Sequence, residues 1–319
     1  MRLLTWISKH IVLAIIIGMV IGFFLGLIFD TSSLRVMVTP LSVLMVFPMM
    51  VTLNFRSVFE KGSMKLQLTT QAINFIYLPL LALLFGLVFF SNEPAFRIAI
   101  LLIALLPTSG MTVSWTVMAG GNVKEAIRMI VIGLTLGGLL TPIYLALFMG
   151  ETANVETVQV FRQIGLIVFL PMFLGFLTQT ALKRRYGVEK FKKRLKPVFP
   201  KFSTLAVVIL ISTVMSLRAP MIAAQPSIAF IILGPVALGY LTMLVSIHAI
   251  GKWLFTRDDR IALINGTMIR SLSLALAIAL SVFGDLGESI ALVVAVAYMV
   301  QVQLAAWYVK REIRLAVIK

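Results

Sequence analysis

The sequence contains no cysteine among its 319 residues. That excludes a disulfide framework, a thiol nucleophile and a thiolate metal site. Only two histidines are present, so a histidine-built metal centre is not expected, and no cofactor is. Charge is also scarce. Charged residues make up 13% of the chain, where a soluble protein carries about 25%. Hydrophobic residues reach 60%, against roughly 45–50% in soluble chains. A bilayer-spanning helix needs about 20 mainly apolar residues, so ten spans would use roughly 200 of them. Little chain is left for a soluble domain.

Apolar runs separated by charged or Gly/Pro breaks fall at 11–29, 34–54, 69–91, 98–119, 126–149, 161–182, 203–224, 228–251, 261–284 and 288–309. They do not alternate and are too long for barrel strands, so they read as helices. The expected fold is an all-α polytopic membrane protein of ten transmembrane helices. The first 30 residues could pass for a signal peptide. Their apolar stretch is too long, no small-residue cleavage site follows and another span comes at once, so they read as the first helix.

The formal net charge of +16 is sorted by side. With both ends on one face, that face holds 23 of the 28 basic residues, all but Arg35, Arg97, Arg162, Arg218 and Arg270. Arg2, Lys9, Arg56, Lys61, Lys65, Lys124, Arg128, Lys252, Arg257, Arg260 and the closing Lys310, Arg311, Arg314 and Lys319 lie on it. Acidic residues split evenly. This is the positive-inside pattern, which predicts a multi-pass inner-membrane protein with cytoplasmic ends. The loop from Lys183 to Lys201 carries nine of these charges. Anionic lipid headgroups are its expected partner. Nucleic acid is not, because no folded basic module or interleaved aromatics accompany the charge.

The outer loop 150–160 divides the ten spans into halves of five, 1–150 and 151–319. Five is odd, so the second half enters the membrane in the opposite sense. This is the inverted-repeat plan of many carriers, in which broken helices at matching positions hold the substrate. The fourth and ninth spans fit. Leu106-Pro107-Thr108-Ser109-Gly110-Met111-Thr112-Val113-Ser114 stands in one, and Asn265-Gly266-Thr267-Met268-Ile269-Arg270-Ser271-Leu272-Ser273 in the other. Pro107 removes a backbone donor, and Gly110 and Gly266 are the expected partners in breaking the helices. Gly18, Gly22 and Gly26, and likewise Gly133 and Gly137, read as small faces for helix packing.

These residues carry a resemblance to the bile acid/sodium symporter superfamily, within it to the arsenite-efflux branch, over nearly the whole chain. Asn74 followed by Pro79 is similar to that superfamily's span-three amide and proline. Pro107-Thr108-Ser109-Gly110-Met111, ending near Trp115, is similar to the arsenite branch's Pro-Cys-Thr-Ala-Met. Gly121-Asn122-Val123, Leu140-Thr141-Pro142 and the Leu274–Ala279 run with Phe283-Gly284 match further landmarks. The resemblance implies a core of spans 3–5 and 8–10, a panel of spans 1, 2, 6 and 7, and a crossing of spans 4 and 9 near the midplane. Two departures stand out. Thr108 replaces the arsenite branch's thiol, and a hydroxyl is a poor ligand for soft As(III). At the sodium-coupled branch's ligand positions stand Thr112, Val113, Ala126, Ile130, Gly266 and Arg270, where only Thr112, with Asn74, offers oxygen. A hard cation needs several oxygens, so sodium independence is expected.

Arg270 is the one charge in the middle of a span. Placing arginine at the centre of a membrane helix costs about 2.5 kcal/mol or more, so it needs a partner or a cavity. No carboxylate lies in a span core to supply one. Three readings stand: the guanidinium replaces a sodium ion and ties down the freed carbonyls near Pro107–Gly110; its planar fork takes an anionic substrate; or it snorkels outward. The expectation is a carrier moving a small organic anion by alternating access, with Asn74, Thr108, Ser109, Thr112, Asn265, Thr267, Arg270, Ser271 and Ser273 lining the site. A sodium-coupled organic-anion symporter and an arsenite or oxyanion efflux carrier are the alternatives. An intramembrane enzyme would need convergent acid, base or nucleophile groups that the spans do not offer. A receptor or scaffold would not need two broken helices.

Overall fold

The computed structural model describes residues 4, 6–7, 10–53, 62–153, 158, 161–162, 165–224 and 226–317. The topology charges Arg2, Lys9, Arg56, Lys61 and Lys319, and most of the 150–160 divide, lie outside them. Among the described residues every regular element is helical. The longer ones, in chain order, are α1 (Ile11–Ile28), α2 (Arg35–Val51), α3 (Met64–Phe89), α4 (Pro94–Leu105), α5 (Met111–Met118), α6 (Val123–Ala153), α7 (Leu170–Tyr186), α8 (Phe199–Ala224), α9 (Ser227–Leu254), α10 (Arg257–Met268), α11 (Leu272–Val282) and α12 (Gly284–Val317); short helical turns stand at Ser32–Leu34, Gly165–Phe169, Val188–Lys190 and Phe191–Leu195. Among the described residues, six segments are long and apolar enough to cross a membrane: Met64–Phe89, Val123–Phe148, Val188–Ala224, Phe230–Leu254, Arg257–Val282 and Leu286–Leu315. The fourth apolar run does not form one such helix, because residues 106–110 separate α4 from α5.

Two compact units emerge. The first gathers α1, α2, α7, α8 and residues 273–295. Here α8 packs against α1 and α2, and α7 against α2. Gly22 and Gly26 make the α1–α8 approach possible. A Cβ at either would overlap the backbone carbonyl of Ser212 or Ser216, the close-packing use of small residues in apolar bundles. Ser212 Oγ donates to Gly18 O at 2.6 Å. Gln179 Nε2 donates to Val51 O and Leu53 O, both at 2.7 Å, and so satisfies carbonyls at the end of α2.

The second unit gathers α3–α6, residues 231–272 and residues 296–317. Inside α3 the turn Ile73–Tyr77 widens to π geometry. Pro79 has no amide hydrogen to give Phe75 O four residues back; Tyr144 Oη of α6 donates to that carbonyl instead. On α6, Gly133 and Gly137 face the α4–α5 break. A Cβ at Gly133 would stand 2.9 Å from Thr108 Oγ1, and one at Gly137 3.0 Å from Pro107 Cδ.

Candidate functional site

The first break spans residues 106–110. Leu106, before the proline, leaves the helix with φ −107° and ψ 76°, as the clash with a following proline ring requires. The unusual torsion belongs to Thr108 at φ +56°, not to Gly110, whose φ of −56° is ordinary. A β-branched residue in the left-handed region is an outlier. The second break falls at Ile269–Ser271, and Ile269 is extended. This corrects the expected role of Gly266. It lies inside α10, where its missing side chain makes room for the Met129 sulfur. A lone glycine weakens a helix without ending it.

Arg270 emerges between α10 and α11 with 1% of its surface exposed. Its Nε donates to Ile103 O at 3.1 Å, and Nη2 to Ala104 O. Its Nη1 donates to Asn74 Oδ1 at 2.6 Å and to Thr267 O at 3.0 Å. The physical reason lies in the backbone account. Pro107 cannot donate to Ile103 O, and left-handed Thr108 is turned out of the helix that Ala104 O would continue. Leu105 O accepts from Thr141 Oγ1 at 3.4 Å, and Leu106 O from Ser271 N at 2.8 Å. Four consecutive carbonyls at the end of α4 are thus satisfied by other elements. On α10, Gly266 O accepts from Asn74 Nδ2 at 3.3 Å and Thr267 O from Arg270 itself. One guanidinium therefore caps the carboxyl ends of both half-helices, where the helix dipole is negative.

A guanidinium has five N–H donors. Four are spent on these oxygens, so the fork is not open for two-point recognition of a carboxylate. Snorkelling is excluded by the burial and by these bonds. The backbone of Arg270 is held separately. Gln301 Oε1 accepts from its amide at 2.7 Å and from Tyr240 Oη at 3.0 Å, while Gln301 Nε2 donates to Arg270 O at 3.3 Å.

A second polar cluster lies beside the first. Thr112 Oγ1 accepts from Ser109 N at 3.3 Å and donates to Asn265 O at 3.4 Å. Asn265 Nδ2 donates to Thr116 Oγ1 at 3.3 Å. Asn265 Oδ1 and Ser271 Oγ are buried with no hydrogen-bond partner. Of the expected site residues, Asn74, Thr267 and Arg270 form the guanidinium cage, and Ser109, Thr112 and Asn265 the second cluster. Ser271 joins by its backbone, and Thr108 turns its hydroxyl to Pro107 O. Ser273 is buried but belongs to the first unit. An apolar cavity of about 80 Å³ opens beside Arg270, walled by Leu78, Phe85, Ile100, Val236, Gly239 and Met243. It is far smaller than the roughly 300–1,000 Å³ of a drug-sized ligand site.

Sequence reasoning missed Gln301, Tyr240, Thr116 and Thr141. Gln301 was visible as an amide inside an apolar run and Thr141 as part of the Leu140-Thr141-Pro142 landmark; Tyr240 and Thr116 carry no local signal. It also placed Arg128 and Arg257 with the loop charges. Arg128 is 7% exposed and pairs at 3.3 Å with Glu125, itself 2% exposed. Glu125 also accepts from Ser63 N at 2.9 Å and Gln67 Nε2 at 2.6 Å. Arg257 Nε lies 3.4 Å from the buried Glu312. In the first unit, Arg218 meets Glu288 at 3.2 Å. Glu125 stands beside Lys124, and Glu312 beside Lys310 and Arg311, so neighbouring loop charges hide these pairings in the sequence. Among the described residues no group of three or more His, Asp or Glu could hold a metal.

An apolar, all-helical chain with two interrupted helices joined around a buried cation has the character of a multi-pass membrane transporter. Known proteins make the class specific. The SBF-like CPA transporter family matches residues 6–312, and the chain belongs to that family. That membership places it in the bile acid/sodium symporter superfamily, a family of transporters rather than of enzymes. It is 29% identical over 171 residues to sodium/bile acid cotransporter 7 of Xenopus tropicalis, covering 49% of this chain and 48% of that protein. It is 31% identical over 107 residues to the rat protein of the same name, covering 34% and 30%. It is also similar to the uncharacterized protein YbaS of Bacillus subtilis (strain 168), 28% identical over 102 residues, covering 32% and 33%. The chain spans about half the length, or less, of the curated relatives it matches.

Proposed function

We propose that this transporter moves a small organic anion by alternating access and without sodium, with Arg270 permanently occupying the position of a coupling cation. It works as ten crossing helices in two inverted repeats, in a cell inner membrane, with both ends cytoplasmic. The observation that carries this reading is the guanidinium cage. A cation held at the broken ends of two helices would need oxygens from both, and Arg270 already meets Ile103 O, Ala104 O, Thr267 O and Asn74 Oδ1. Its charge neutralises the two dipole ends without a dissociable ion. Asn74 and Thr112, the two oxygens left at the expected sodium positions, are both engaged. The panel and core named in the sequence would supply the moving parts. Export of an anion from a negative-inside cell is downhill by about 2.3 kcal/mol per charge per 100 mV.

A second reading is sodium coupling. The names of the relatives point to it, and so do the unpartnered buried oxygens Asn265 Oδ1 and Ser271 Oγ. Uptake of labelled organic anions into proteoliposomes separates the two. The proposal expects equal rates with sodium and with choline outside; strict dependence on sodium would establish the second reading.

A further inference from the structure

In the first unit the chain leaves α7 at Gly187, whose φ of +80° permits the turn, and enters α8 at Phe199. Between Lys183 and Lys201 it carries nine basic residues and one acid, Glu189. This cationic run is anchored. Phe191 is 1% exposed, and Lys183 Nζ lies 5.5 Å over its ring while donating to Gln179 Oε1 at 2.6 Å. Arg184, Arg185, Lys190, Lys192, Lys193 and Arg194 point to the surface. Their one ion pair is between Glu189 and Lys193 at 3.7 Å, with both side chains at least three-quarters exposed. Lys190, Lys192, Lys193, Arg194 and Lys196 crowd five like charges into seven consecutive positions. The run therefore holds more positive charge than its own chain neutralises.

Its surroundings select the counter-charge. Tyr186 is 40% exposed and Val188 48%, and the Tyr186 ring lies 5.5 Å from Arg185 and 5.3 Å from Lys190. Next to them, α7 exposes Phe173, Phe176 and Leu177, and α8 exposes Phe202 and Ile209. Apolar faces that end in an exposed tyrosine and then in a cationic run are the profile of a bilayer edge, with the aromatic ring at headgroup depth. A soluble polyanion would leave those apolar groups in water. We propose that residues 184–196 form a binding site for the phosphate headgroups of acidic bilayer lipids, which hold the α7–α8 end of the first unit against the membrane. The proposal rests on α7 and α8 lying in the bilayer and is independent of what the protein carries.

Because the chain has no cysteine, Val188→Cys gives a single site for a nitroxide label in the full-length protein. The label's mobility is read in phosphatidylcholine vesicles containing increasing fractions of phosphatidylglycerol. Mobility is expected to fall as the acidic lipid rises. The half-maximal fraction should rise about fivefold on Lys192→Gln and again on Lys193→Gln, the worth of one basic side chain at an anionic surface. Both side chains are exposed, so neither change threatens the fold. A label introduced by Ile209→Cys on α8 is expected to stay unchanged. The proposal is overturned by equal mobility in neutral and acidic vesicles, or by variants that respond like the parent. It is also overturned by an equal change at position 209, or by glycerol phosphate in solution reproducing the effect in neutral vesicles.

Discussion

The two helix breaks of the second unit, at residues 106–110 and 269–271, solve opposite halves of one problem. The α4–α5 break is made by covalent chemistry. Pro107 lacks a donor, Thr108 sits at φ +56°, and the result is a surplus of carbonyls. The α10–α11 break contains no proline and supplies the donors: the guanidinium of Arg270 and the amide of Ser271. Neither is stable alone at membrane depth, where unsatisfied backbone groups cost several kcal/mol each. The two breaks divide one chemistry between them. A buried charge without a carboxylate partner is then no anomaly, because its partners are helix ends.

The paired breaks are most sensitive on the donor side. Arg270→Met removes the guanidinium and leaves Ile103 O, Ala104 O, Thr267 O and Asn74 Oδ1 unpaired. The expected loss is on the order of 4 kcal/mol or more, at about 1–3 kcal/mol for each of the four orphaned buried groups. Transport should be abolished while membrane insertion persists; thermal unfolding in detergent and proteoliposome uptake measure the two. Unchanged transport would refute the cage as a working part. The acceptor side is less sensitive. Gly133→Ala would press a Cβ to within 2.9 Å of Thr108 Oγ1, and overpacking of this kind costs about 1–3 kcal/mol. The smallest effect has the opposite sign. Thr108→Gly relieves the left-handed torsion and should stabilise the protein by about 1 kcal/mol, readable as a raised unfolding temperature. A fall instead would show that the threonine side chain, and not its backbone, is what the first break needs.

The sequence showed the first break more fully than the second, for a physical reason. Proline interrupts a helix through its own covalent structure, so Pro107 marks its break from any context. The second break was attributed to Gly266, but a glycine only permits a deviation, and this one is spent on packing against Met129. Its actual position at Ile269–Ser271 is set by partners far away in the chain: Leu106, Ile103 and Gln301. Arg270 was legible as a misplaced charge, and its use in tying down freed carbonyls was among the readings that residue types alone allowed. What they could not do was count its free donors, which depends on Asn74 and Thr267 arriving at the same point. The buried Glu125–Arg128 and Arg257–Glu312 pairs were lost among loop charges. Charge bias by side measures topology and is blind to which charges are solvated.

That Arg270 stands where a coupling cation would is the core of the proposed function. It is tested most directly by the sodium response of the unfolding temperature in the parent and in Arg270→Gln, at constant ionic strength with choline as the replacement. A ligand that binds only the folded state raises its stability by mass action. The account expects no sodium response in the parent, and a lower unfolding temperature in Arg270→Gln that sodium partly restores by entering the vacated cage. Stabilisation of the parent by sodium would contradict it.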